Sequence, residues 1–217
     1  ENVDLDDRMK SLKKYLDINW LHKIDSDSNI EMRGYENFDR LEFIETSEPL
    51  DKNTHTSKLR GLNLQYKGKF LNFYMPVLGF NYQKHLLNSS NSGKHDYYIN
   101  AIYFQNKLDF DRLDVSFGLR FDKYSNLGSE YSPSANFKYK IDKNTNLFGL
   151  IGRSFRVPTF NDLYWPREDW GAWGGVEGNT NLTSEKCIAG ELGFERKIGK
   201  YSITKLTYFR NEFDDLI

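Results

Sequence analysis

Apolar and polar residues alternate with a period of two along most of this chain, most cleanly from Arg112 to Tyr124. Leu113, Val115, Phe117, Leu119 and Phe121 fall on one side, and Asp114, Ser116, Gly118, Arg120 and Asp122 on the other. The same alternation sets Tyr131, Ala135, Phe137, Tyr139 and Ile141 against Ser132, Ser134, Asn136, Lys138 and Lys140. Period two is the side-chain repeat of a β-strand with two unlike faces. Followed along the whole chain, it predicts about ten strands. Before these two come Lys13–Lys23, Ile30–Glu45, Leu59–Tyr66, Lys69–Gln83 and Tyr97–Lys107; after them come Asn146–Arg153, Glu185–Lys197 and Tyr201–Arg210. Pro76 lacks a ladder donor and predicts an irregular spot or bulge in its strand.

The connections alternate in predicted length. Those near 25–29, 67–68, 108–111, 142–145 and 198–200 are short, whereas 46–56, 86–96, 125–130 and 154–184 are longer. The clean strands run about 10–13 residues, enough for a tilted strand to cross a bilayer, whereas strands of soluble proteins average about 5–6. Long strands with short turns at one end and long loops at the other predict an all-β fold, an antiparallel transmembrane β-barrel. A soluble β-structured module fits the same alternation only if the Leu113–Phe121 face forms a dry core.

Composition agrees with either reading. Of the 217 residues, 28% are charged and 16% aromatic. Mean hydropathy is −0.71, and no run approaches the ~18 apolar residues of a membrane helix. The net charge of −1 leaves no basic stripe for nucleic acid. A single cysteine, Cys187, excludes an internal disulfide framework and a Cys-based metal site. The four histidines are scattered without ligand spacing, so no metal site is assigned. Asp25–Asn29 lacks the glycine and distal glutamate of a calcium loop and reads as a turn. There are no paired catalytic acids, nucleophile elbow or phosphate loop, so no catalytic residue is assigned.

The stretch from Ser154 to Leu182 carries three of the four tryptophans, Trp165, Trp170 and Trp173. A connection of this length is usually functional or disordered. Its content of rings, arginine and glycine predicts an ordered binding loop. Phe155-Arg-Val-Pro158, then Thr159-Phe-Asn-Asp-Leu-Tyr164 and Gly178-Asn-Thr-Asn-Leu182, resembles the paired FRAP and NPNL boxes of TonB-dependent outer-membrane receptors. Gly118–Tyr124, Ser132-Pro133 and Tyr208–Ile217 are similar to that family's barrel, so the likeness covers about residues 97–217 and is compatible before that.

The resemblance implies a 22-stranded barrel in the bacterial outer membrane, plugged by an N-terminal domain. It would import a large scarce ligand, such as a ferric siderophore or cobalamin, with energy delivered by TonB through the plug. Ten strands are a part of such a barrel, and nothing in residues 1–217 resembles the plug, so the expectation is an internal portion of a longer receptor in contact with outer-membrane lipid. In that family's haem receptors a histidine between the boxes ligates iron; residues 159–178 contain none, which disfavours haem. The boxes imply that Phe155, Arg156, Asn179 and Asn181 serve ligand passage; anchoring of loop and strand is the alternative. Trp165, Trp170 and Trp173 with Arg167 form a candidate ring-and-cation surface, or tryptophans packed on one another or on the membrane interface. Arg153 is expected to point into the lumen, together with Asp114, Arg120, Lys138 and Lys140. A passive porin or substrate-specific channel, with the long loop as its constriction, would share the same wall.

Overall fold

In the computed structural model, described over residues 8–45, 51–71 and 73–217, the alternating segments form one ten-stranded antiparallel sheet whose strands follow chain order. They are β1 (Arg8–Lys23), β2 (Asn29–Glu45), β3 (Asp51–Lys67), β4 (Tyr74–Ser89), β5 (Gly93–Asp109), β6 (Leu113–Tyr124), β7 (Ser129–Lys140) and β8 (Thr145–Arg156). A helix α1 (Phe160–Tyr164) and a ribbon of β9 (Glu168–Asp169) with β10 (Gly175–Val176) precede β11 (Glu185–Ile198) and β12 (Ser202–Asp214).

The register carries the sequence alternation intact from strand to strand. Leu119 lies opposite Phe104 and Pro133, and Arg120 lies opposite Tyr103 and Ser132. Asp114 pairs with Lys138 on the face that also holds Arg120. The apolar face stands open, with Leu119 52% and Ile102 60% accessible, while the most enclosed strand side chains include Asp122 at 3% and Asn81 at 7% on the polar face. In water this polarity is inverted; against hydrocarbon it is what a barrel wall requires. The Leu113–Phe121 side therefore makes no dry core, since Phe117, Leu119 and Phe121 stand open. The soluble reading is overturned.

The polar face is tied together across strands. The Tyr35 ring lies over Gly61, the Tyr103 ring over Gly79, and the Phe148 ring over Gly193. A Cβ at any of these glycines would stand 2.1 Å from the ring, so each glycine gives the neighbouring strand's ring a place to lie flat. Tyr35 Oη accepts a hydrogen bond from Gln83 at 2.9 Å, and Tyr103 Oη donates to Asn63 and Gln65 at 3.2 and 3.1 Å. Arg33 pairs with Asp17, Lys67 with Glu31 and Arg120 with Asp122. Neutralised in pairs, these charges make a polar wall with little net field.

Several strand ends differ from expectation. The polar connections placed at 46–56 and 86–96 are largely strand: β3 begins at Asp51, and only Ser90–Ser92 separate β4 from β5. Residues 46–50 lie outside the described ones. The predicted length asymmetry therefore survives at the 157–184 connection alone, and the other strands rise beyond the membrane as paired hairpins. Conversely, residues 68–71 and 73 belong to no strand: Phe70 makes an isolated bridge to Tyr74, and Leu71 turns at φ 59°. Pro76 causes no bulge. It pairs in unbroken register with Asn106 on β5, and the ladder with β3 starts only at Val77, so the missing donor falls at a ladder's edge. Asp25–Ser28 turns as expected, with Asp25 Oδ1 accepting from the Asp27 amide at 2.8 Å.

Candidate ligand-binding loop

The long connection is built from its base upward. Arg156 ends β8 opposite Glu185, the first residue of β11, and donates to Glu185 Oε2 at 2.9 Å. Its Nη1 also lies 3.8 Å from Asp162, so one guanidinium joins both ends of the loop to the helix between them. Phe155 meets Tyr124 edge-on, with ring centres 6.2 Å apart. Pro158 is fully enclosed. Thr159 then caps α1: its Oγ1 accepts from the Asp162 amide at 3.2 Å, and Asp162 Oδ2 accepts from the Thr159 amide at 2.8 Å. This reciprocal capping box fixes a helix too short to hold by propensity alone.

The second box closes on this helix. The Gly178 amide donates to the Trp165 carbonyl at 2.9 Å, and the Asn179 amide to the Asp162 carbonyl at 2.8 Å. The approach needs glycine, because a Cβ at position 178 would lie 2.5 Å from Trp165 N and 2.7 Å from Leu163 C. Asn179 Oδ1 accepts from the Asn181 amide at 2.9 Å, turning the chain towards β11. The two boxes, remote in sequence, thus meet around α1. Phe155, Arg156 and Asn179 have their groups engaged in that junction, while Asn181 contributes its backbone and stays exposed.

Beyond the junction the loop carries its own ribbon. Trp165 Nε1 donates to Glu168 at 2.9 Å, which holds the indole beside the start of β9. The tip turns through Gly171 at φ 62° and Gly174 at φ 90°, both in the region that favours glycine. Trp170 is 54% accessible. Arg167 is exposed and shares a 460 Å³ cleft with Glu168, Asp169 and Glu177. Trp173 closes a short 3-10 turn (Gly171–Trp173), and its side chain lies outside the described residues.

On its other side the loop folds onto the polar face of the sheet. Phe160 lies 5.2 Å from the Tyr97 ring, which stacks on His85 at 4.6 Å. Tyr164 stacks on His95 with ring centres 3.6 Å apart and planes nearly parallel. Tyr97, Ile99 and Tyr124 are buried beneath Phe155, Val157 and Phe160. A 410 Å³ cavity remains below α1, bounded by Tyr15, Asn37, Asp39, His85, Tyr97 and Phe160. Among the described residues no three His, Cys, Asp or Glu side chains converge as a metal site.

Sequence reasoning did not place His85, His95, Tyr97 and Tyr124 in this region. The density of rings in β5 was visible, but their partners came from a loop some sixty residues on. Arg153, expected in the lumen, is turned elsewhere: the register puts it on the side of Ile151 and opposite Ile188. Its guanidinium donates to Glu130 at 2.8 Å and to the Tyr131 carbonyl, and it lies 4.3 Å over the Tyr131 ring. That side chain is committed to joining β7 to β8.

A family model, the TonB dependent receptor-like β-barrel, matches residues 4–217. The chain belongs to this family. Of this receptor barrel, 135 residues (55% of the chain) are 32% identical to the probable TonB-dependent siderophore receptor PirA of Acinetobacter baumannii, over 17% of that protein. A stretch of 92 residues (42% of the chain) is 32% identical to the vitamin B12 transporter BtuB of Vibrio vulnificus, over 12% of its length. The siderophore receptor PirA from Pseudomonas aeruginosa has a similar structure, with TM-score 0.68 at 19% identity, covering 94% of this chain and 46% of that one. The copper transporter OprC gives TM-score 0.77 at 13% identity, covering 96% and 39%. At such identities the likeness concerns the fold. The receptor barrel described here thus spans less than half of those solved chains, and its sheet is a section of wall in the bacterial outer membrane.

Proposed function

We propose that this chain forms part of the wall and mouth of a receptor that imports a large, scarce nutrient complex, a ferric siderophore or cobalamin, with energy delivered by TonB. The observation that carries the reading is the loop over 157–184, pinned by its two boxes and open at its tip. Fixed bases and exposed rings suit capture, because an aromatic anchor that is already ordered loses little entropy on binding. Trp170 and Arg167 are the groups free to meet a ligand first, with Trp173 beside them in sequence. Trp165 borders a second cavity with Met9, Lys13 and His55 and would line the way inward. Phe155, Arg156, Asn179 and Asn181 hold the loop in place for that passage, and Arg153 supports it from the β7–β8 seam. Haem fits less well, since residues 159–178 lack a histidine and the nearby His95 is stacked on Tyr164.

The wall also calls for neighbours. Among the described residues β1 and β12 each pair on one side only, and hydrocarbon tolerates no open strand edge. Further strands of the same receptor close the barrel, and a plug within it would receive TonB. The test uses the full-length receptor, purified in detergent and titrated with ferric siderophores and cobalamin while tryptophan emission is followed. Trp170→Ala and Arg167→Ala should each weaken binding roughly 30-fold, the loss of one anchor worth about 2 kcal/mol. Uptake by cells should vanish when TonB is deleted. Uptake that persists without TonB would identify a passive channel instead.

A further inference from the structure

On the outward face, just beyond the apolar band, the register sets Lys14, Phe38 and Lys58 side by side on β1, β2 and β3. Both ammonium groups rest over the one ring, Lys14 Nζ at 6.0 Å and Lys58 Nζ at 5.5 Å from its centre. The other cations nearby are already matched: Arg60 with Glu36, Lys84 with Asp96, and Arg40 and Lys52 with Glu42. Among the described residues Lys14 and Lys58 have no carboxylate within 4 Å; Lys10, further towards the loops on the same face of β1, is likewise unpaired but lies away from the Phe38 ring. Towards the membrane the next row holds Leu16 beside the Glu36–Arg60 ion pair, and beyond it the strands present Ile18, Met32, Leu62 and Leu64, all exposed. Towards the loops they present Leu12, Arg40 and Thr56, and the apolar surface thins out.

Two uncompensated ammoniums at the upper rim of an apolar band present charge and grease in the order in which a lipid presents phosphate and acyl chains. We infer that Lys14 and Lys58 hold the phosphate of an anionic lipid in the outer leaflet, with its chains lying on Leu16, Ile18, Leu62 and Leu64. Phe38 keeps the two lysines apart and pointing outward. Their separation across two strands, about 9–10 Å, admits one phosphate group between them. A soluble anion would gain nothing from the leucines, and an acidic protein segment would have to enter hydrocarbon to reach them. The site depends on the membrane placement of the sheet and not on the nutrient the receptor carries.

The experiment is native mass spectrometry of the full-length receptor in detergent, with added phosphatidic acid, diacylglycerol or inorganic phosphate. Wild type should retain phosphatidic acid. Lys14→Gln/Lys58→Gln should retain roughly 30-fold less, at about fivefold for each basic residue near a membrane surface. Lys67→Gln, on the opposite face of the wall, should retain lipid like wild type, with barrel integrity of each variant checked by its shift on a gel without heating. Diacylglycerol should bind no better to wild type than to the double variant. Equal retention of phosphatidic acid by an intact double variant would overturn the site. Displacement of the lipid by millimolar inorganic phosphate would also overturn it, by showing a soluble-anion site.

Discussion

Gly178 is the position at which the whole loop can be tested with one atom. Its amide donates to the Trp165 carbonyl at 2.9 Å, and the next amide donates to the Asp162 carbonyl at 2.8 Å. A Cβ there would meet backbone on three sides: Trp165 N at 2.5 Å, Tyr164 N at 2.6 Å and Leu163 C at 2.7 Å. Backbone cannot swing aside as a side-chain tip can, so Gly178→Ala must push the second box off α1. The overpacking itself costs about 1–3 kcal/mol. The two hydrogen bonds contribute about 0.5–1.5 kcal/mol each, giving a loss of roughly 2–6 kcal/mol in the closed loop. Because the ten strands are held by their own ladders, the barrel should remain intact. Limited proteolysis of the full-length receptor reads the difference: cleavage between residues 165 and 178 should accelerate at least 30-fold, with the unheated gel mobility unchanged. Protection equal to wild type would refute the claim that the two boxes lock against each other, and with it the ordered tip that the proposed ligand capture requires.

Thr159→Ala removes the capping oxygen of α1 and should cost about 1 kcal/mol, seen as faster cleavage in the same segment but several-fold less than for Gly178→Ala. Phe160→Ala leaves Tyr97 without its ring neighbour at 5.2 Å; the loop should loosen by about 2 kcal/mol relative to wild type, short of a fully buried phenylalanine, and tryptophan emission should shift to the red. Tyr35→Ala uncovers Gly61 and removes the acceptor of Gln83, so unfolding in urea should begin earlier; Gly61→Ala in that background should recover part of the loss, whereas in wild type it should destabilise. The Asp142 carboxyl accepts the Asn144 amide at 2.7 Å and lies below the ordinary carboxylate pKa, chiefly through that hydrogen bond. A depressed carboxyl holds its turn fully above the usual carboxylate range and lets go as pH falls below it. The Asn144 amide resonance should therefore titrate with a midpoint below that of a free aspartate, and a midpoint at or above it would refute the bond's role.

How much was readable in the sequence varies with environment along each strand. Within the membrane the alternation in β6 and β7 was unmistakable, because one face must be apolar and the other polar, and their observed ends lie within two residues of those read from the pattern. Above the membrane both faces meet water, so the ends of β3, β4 and β5 carry Thr54, His55, Asn88 and Lys94 and resemble loops by composition. Hydrogen bonds to the neighbouring strand, not hydrophobic period, hold them extended. Arg153 failed for a related reason: a charged residue next to a lumen was assigned by type, while its face follows from the ladder with β11.

The chain's alternation, its strand count and its paired boxes were enough by themselves to determine an antiparallel membrane wall and its family. These are local or pairwise properties: a period of two, a short turn, a motif in its place. The tertiary structure alone decided that Phe160 and Tyr164 fold back on Tyr97 and His95, that Gly178 seats against α1, and that Lys14 and Lys58 share one ring. Each joins residues separated by at least thirteen positions along the chain. Only the staggered pairing of strands, set by hydrogen bonds along their whole length, determines which of those residues become neighbours.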